Sequence, residues 1–143
     1  HSVTKIWIHG VWGTKERSPI LKDGFRADVF RHMQERFASQ GCPVRILNGT
    51  ADHVHALFLL NHEKSLADVV QMVKGETSHW INQQAFLNGK FAWQVGYCGL
   101  SVSPSMVKRV EEYIRGQEKH HRKVPFAEEY KRFMAMIETA GNR

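Results

Sequence analysis

The sequence predicts an α+β domain built on a four-stranded antiparallel sheet, and three patterns carry that prediction. Strand-like alternation and helix-like apolar stripes succeed one another in the order β-α-β-β-α-β. The two middle strands are joined by a loop short enough to make them a hairpin. No repeat, low-complexity run or linker interrupts the series.

Val3 to Trp12 alternates, with Thr4, Ile6, Ile8 and Trp12 on one face and Lys5, Trp7, His9 and Val11 on the other, which is the period of a strand. Gly13 to Ser18, ahead of Pro19, is a turn. In Leu21 to Gln40, the residues Leu21, Phe25, Val29, Met33 and Phe37 form one helical stripe, closed by Gly41 and Pro43. Val44 to Leu47 and His53 to Leu60 are strands, and the Asn48-Gly49-Thr50 stretch between them holds an Asn-Gly pair that tolerates the positive φ of a hairpin turn. Ser65 is positioned to cap a helix whose buried face is Leu66, Val69, Val70, Val73, Thr77, Trp80 and Ile81, and Asn88-Gly89-Lys90 ends it. Phe91 to Val102 is the fourth strand. Ser103-Pro104 opens a third helix, about 104–119, because the N–H that proline lacks has no partner at the first helical position. The series is the ferredoxin-like (RRM-like) plan, with two helices on one sheet face and the other face open for a ligand. Residues 120–143 read as a basic connector and an amphipathic tail helix bearing Phe126, Tyr130, Phe133 and Ile137. The expectation is a single domain, 1–143, with its core at about 3–120.

A chain of 143 residues can bury one core. With 42% hydrophobic and 24% charged residues it falls outside the disordered class, and no run approaches the length of a membrane-spanning helix. The N-terminal stretch lacks the residue order of a signal peptide, and Cys42 and Cys98 form neither a zinc spacing nor a disulfide framework, so a cytoplasmic protein with reduced cysteines is expected. Twenty Lys and Arg against fourteen Asp and Glu leave a net charge of +6, which attracts polyanions and makes nucleic acid a leading partner.

Two groups of residues carry chemistry. In His53-Val54-His55, the strand period sends both imidazoles to one face, where two nitrogens can share a metal; the same motif also occurs as surface decoration. In Tyr113-Ile114-Arg115-Gly116-Gln117, helical spacing puts Tyr113 and Gln117 on one face. Gln117 offers an amide oxygen to a hard cation, and the Tyr113 phenol can attack phosphorus and hold it covalently. Met106, Val110, Tyr113 and Gln117 also continue a single stripe, so a core aromatic and a boundary glutamine fit the same spacing.

His53-Val54-His55 with Ala56-Leu57-Phe58, Val11-Trp12-Gly13-Thr14-Lys15-Glu16-Arg17, and Val110-Glu111-Glu112-Tyr113-Ile114-Arg115-Gly116-Gln117-Glu118 together resemble the single-tyrosine HUH transposases of bacterial insertion sequences, including their REP-associated members. The resemblance runs from about Ile6 to Tyr130. It implies His53 and His55 as metal ligands, Gln117 as the third ligand and Tyr113 as the nucleophile. It also implies a homodimer in which the tyrosine helix of one protomer can complete the site of the other. The departures are Gly116, where the family often has Asn, and Gly10, where a larger residue is usual.

The expected reaction is transesterification of single-stranded DNA, through a 5′-phosphotyrosine and a free 3′ hydroxyl, with Mg2+ as the cofactor or Mn2+ in its stead. The resemblance implies a hairpin-bearing substrate. Lys108, Arg109, Arg115, Lys119, Arg122 and Lys123 gather positive charge around the tyrosine helix as candidate DNA contacts, although Glu111, Glu112 and Glu118 interleave with them. Trp7, Trp12, Trp93 and Tyr97 are candidates for base stacking and equally for the core. The alternatives are a non-catalytic module that binds single-stranded nucleic acid on its sheet, a domesticated hairpin nuclease, and a zinc hydrolase using a third histidine.

Overall fold

The computed structural model describes residues 2–117 and Glu128; the connector and tail helix expected at 120–143 otherwise lie outside the described residues. Strands β1 (Trp7–Gly13), β2 (Val44–Gly49), β3 (His53–Leu59) and β4 (Cys98–Val102) form one antiparallel sheet in the order β2-β3-β1-β4. Helix α1 (Asp23–Ala38) joins β1 to β2, α2 (Leu66–Gln83) joins β3 to β4, and α3 (Val107–Arg115) follows. Each crossover spans two strands that flank a third, so two split β-α-β units interleave and leave β1 and β3 in the interior. This is the α+β, ferredoxin-like plan.

Alternation along the strands sorts the two faces. Ile8, Trp12, Val54, Ala56 and Phe58 point to α1 and α2 and meet Val29, Met33, Phe37, Val69, Val70 and Val73. The Ser65 hydroxyl caps α2 by accepting the Asp68 N–H at 3.0 Å. The opposite face is not open as expected. Leu57, with Trp7, Ile46 and Val102 beside it, is covered by Val107, Val110, Tyr113 and Ile114 of α3, which lies against β2 and β3. Those four α3 residues form an apolar stripe that would otherwise face water, and burying it on the sheet is the favourable arrangement.

Three boundaries differ from the sequence reading. β1 starts at Trp7, with one further bond from the Leu60 N–H to the Ile6 carbonyl. The strand expected over 91–102 is two pieces on the same edge of β1: Trp93 bridges Thr14, whereas β4 begins only at Cys98. Between them Gly96 takes φ +89°, and the Lys74 ammonium holds the Gln94 and Gly96 carbonyls at 2.9 and 2.7 Å. The hairpin turn is not at Asn48-Gly49 but at Thr50 to Asp52, closed by the Thr50 N–H on the His53 carbonyl. Asn48 and Gly49 are strand residues paired with His55 and Val54. Gly49 serves close approach instead of turn geometry, since a Cβ there would lie 2.2 Å from the His53 carbonyl oxygen.

Candidate active site

Because Val54 faces the main core, His53 and His55 both face α3, and the strand buries them almost completely, at 0% and 1% exposure. The Nδ1 of His53 lies 2.8 Å from Asp52 Oδ1 and 2.8 Å from Thr50 Oγ1, and the Thr50 hydroxyl donates to the same carboxylate at 3.0 Å. A carboxylate only accepts, so Nδ1 donates to Asp52 and leaves Nε2 on the side of α3. That Nε2 is 3.3 Å from Gln117 Oε1. The rings of His53 and His55 meet edge to face at 5.1 Å, and the Tyr113 ring lies 5.8 Å from that of His55.

α3 brings Tyr113 and Gln117 there. Its inner side packs through Val107 and Ile114 on Leu57. Arg45 of β2 holds Glu111 at 2.8 Å, and Glu111 also holds Arg115 at 2.8 Å one turn on. Asn48 donates to the Ile114 and Arg115 carbonyls at 3.0 and 3.2 Å, closing the end of the helix. α3 runs to Arg115, Gly116 is a turn residue at φ −89°, ψ 10°, Gln117 is again helical, and residues 118–119 of the expected helix lie outside the described residues. Tyr113 and Gln117 therefore meet across a break at Gly116. The Gln117 amide folds back, donating to the Tyr113 carbonyl at 3.5 Å, and its side chain is fully buried.

His9 belongs to this site, although the alternation of β1 alone does not set it apart from its neighbours. It is buried at 3% exposure, and its Nε2 lies 2.9 Å from His55 Nδ1 with the two rings stacked at 5.1 Å. Burial pushes its pKa down to about 4, so it is uncharged at neutral pH. The signal was available in the strand pairing. His9 stands opposite Leu57 on β1, diagonal to His55 and on the same face.

The donor set fits a divalent cation. Two imidazoles and an amide oxygen converge, and 3.3 Å between Nε2 and Oε1 falls in the roughly 3.0–3.4 Å range between neighbouring ligands on a small cation. Among the described residues no three His, Cys, Asp or Glu side chains form a metal cage, and the Gln117 carboxamide is the further oxygen donor beside His53.

Of the candidate DNA contacts, Lys108 and Arg109 are exposed on α3, and Arg115 is exposed while bonded to Glu111. Lys119, Arg122 and Lys123 lie outside the described residues. Trp12 and Trp93 are core, 2% and 8% exposed and packed edge to face at 6.2 Å. Trp7 is half-buried beneath the Arg45 guanidinium, and Tyr97 is exposed.

Comparison with known proteins sets this chain among the transposases. The family model described as IS200-like transposase matches residues 2–117, and the chain belongs to that family. The ISDra2 transposase TnpA of Deinococcus radiodurans is 27% identical over 121 residues, which cover 80% of this chain and 86% of that protein. A crystal structure from Deinococcus radiodurans R1, described as a transposase, superposes with a TM-score of 0.63 at 24% identity, covering 81% of this chain and 93% of the other. The REP-associated tyrosine transposase bound to a REP hairpin superposes with a TM-score of 0.61 at 15% identity, covering 85% and 72%. At these identities the two structures show the shared fold. Among the described residues no helix is long and apolar enough to cross a membrane.

Proposed function

We propose that this transposase cleaves and rejoins single-stranded DNA through Tyr113, in a site where His53, His55 and Gln117 hold a divalent metal. The observation that carries the reading is the convergence, within one chain, of His53 Nε2, Gln117 Oε1 and the His55 and Tyr113 rings. The Tyr113 phenol gives up its proton as its oxygen attacks the scissile phosphorus, the bond from phosphorus to the 3′ oxygen breaks, and the leaving oxygen takes up a proton in turn. The products are a 5′-phosphotyrosine and a free 3′ hydroxyl. One phosphate ester replaces another, so rejoining is the reverse attack and needs no nucleotide cofactor. Bound Mg2+, or Mn2+ with its greater taste for imidazole, would polarise the phosphate oxygens and offset charge on the leaving oxygen.

A single strand suits the site because an unpaired phosphodiester can bend towards recessed histidines under a helix. The exposed Lys108 and Arg109, and the net charge of +6, favour such a polyanion. The REP hairpin bound to one of the structural neighbours supports a hairpin-bearing substrate. The assembly we favour is a homodimer, each site served by its own Tyr113. The non-catalytic alternative needs an open sheet face, and α3 lies across that face.

The test incubates the protein with Mg2+ or Mn2+ and a hairpin-bearing single strand labelled 3′ of the cut, then follows the label onto denatured protein. The parent is expected to become labelled and Tyr113→Phe to remain unlabelled. A labelled Tyr113→Phe chain overturns the nucleophile, and undiminished cleavage by His53→Ala overturns the metal site.

A further inference from the structure

The two metal-binding histidines of the proposed site are oriented by different devices. His53 sits beside the hairpin turn, where Asp52 and Thr50 take its Nδ1. His55 lies two residues deeper in the sheet, beyond the reach of that turn. Its Nδ1 meets a side chain from the neighbouring strand, His9, at 2.9 Å. We infer that His9 is a positioning residue for the metal centre: its Nε2 accepts the Nδ1–H of His55 and fixes the tautomer that keeps the His55 Nε2 lone pair for a divalent cation. The inference rests on the metal-site reading above and goes beyond it, since it gives a role to a residue outside the ligand set.

A neutral imidazole donates from one nitrogen and accepts at the other, and only the lone pair binds a cation. Without a fixed acceptor at Nδ1, His55 divides between two tautomers and two ring orientations, and metal binding must first select one. His9 removes that choice. The antiparallel register sets the contact: Val11 stands opposite His55 and His9 opposite Leu57, so the two histidines are diagonal neighbours on one face. The rings stack with an interplanar angle of 29°, which fixes the plane of His55 as well as its proton. The His9 ring also lies 6.4 Å from that of Tyr113, so its loss disturbs the nucleophile's surroundings, and the test must read metal binding apart from cleavage.

The experiment measures Mn2+ affinity of the full chain by titration calorimetry, with free Mn2+ followed in parallel by electron paramagnetic resonance. His9→Gln carries an amide to the position of the lost Nε2, His9→Asn stops short of it, and His9→Leu keeps the bulk without an acceptor. His9→Asn and His9→Leu are expected to weaken Mn2+ binding about 10- to 100-fold, and His9→Gln to stay within about threefold of the parent. Parent-like binding by His9→Asn or His9→Leu overturns the role, as does a His9→Gln chain that falls as far as the other two. If His9→Leu fails to fold, the Gln and Asn pair decides alone. His53→Ala is the control. Mn2+ binding that survives it, or a parent that binds no Mn2+, overturns the metal-site reading and the His9 role with it. Binding lost in His53→Ala but unchanged in the His9 variants overturns only the role of His9.

Discussion

Asn48 of β2 donates its side-chain N–H groups to the carbonyls of Ile114 and Arg115, at 3.0 and 3.2 Å, and so ties the last turn of α3 to the sheet. The final carbonyls of a helix have no partner within it, and one amide here supplies two of them. Asn48→Ala is expected to cost about 1–2 kcal/mol of stability, read by urea unfolding, and to slow formation of the DNA adduct. A variant as stable as the parent would show that the tie contributes nothing.

A second tie on the same helix depends on pH. The Arg45 guanidinium bonded to Glu111, joined by Arg115, holds the Glu111 carboxyl below its usual value of 4.5. The unfolded chain therefore takes up the proton first as the solution is acidified. The stabilisation is complete above about 4.5 and disappears as the pH falls through the lower folded value. In unfolding measured across this range, the parent is expected to exceed Glu111→Gln in stability at neutral pH and to converge with it in acid. A gap that stays constant with pH would contradict the assignment.

Gly49 has no room for a side chain. A Cβ would stand 2.2 Å from the His53 carbonyl oxygen and 2.9 Å from the Val54 Cα, and neither backbone atom can move without shifting β3. Gly49→Ala is expected to lose about 3 kcal/mol and to lower Mn2+ affinity through displacement of His53. A melting temperature equal to the parent's would refute this.

Gln117 contributes an oxygen, and its replacements separate that oxygen from its bulk. Gln117→Ala is expected to slow adduct formation at least about tenfold, while Gln117→Glu, which returns an oxygen to the position, should keep most of the rate. Initial rates with Mn2+ make the comparison; an undiminished alanine variant would remove Gln117 from the ligand set.

The four groups converge inside one chain. Mixing Tyr113→Phe with His53→Ala is therefore expected to restore no cleavage, because neither chain has both a nucleophile and a metal site. Recovered activity would mean that the helix of one subunit serves the other.

Much of this was legible in the sequence where a local period decides the outcome. Alternation put His53 and His55 on one face, and the apolar stripe and Ser65 marked α2. What stayed hidden depends on neighbours distant in sequence. Asn48-Gly49 has the chemistry of a turn, and only the adjacent His53 backbone shows that the glycine is required in a strand. Phe91 to Val102 keeps strand character throughout because both its pieces lie along β1, so the pattern conceals the interruption at Gly96. Counting four residues from Tyr113 found Gln117, although the helix breaks at Gly116 between them. His9 becomes visible only once β1 and β3 are paired in register.

The histidines stand on interior strands and the tyrosine on a nine-residue helix at the periphery. Amides of β1 and β3 should therefore be the slowest to exchange with deuterium, and those of α3 should exchange through smaller, earlier openings. As denaturant rises, such a molecule forfeits its attacking group while its imidazoles still stand in order, so catalysis should fail well before the chain unravels.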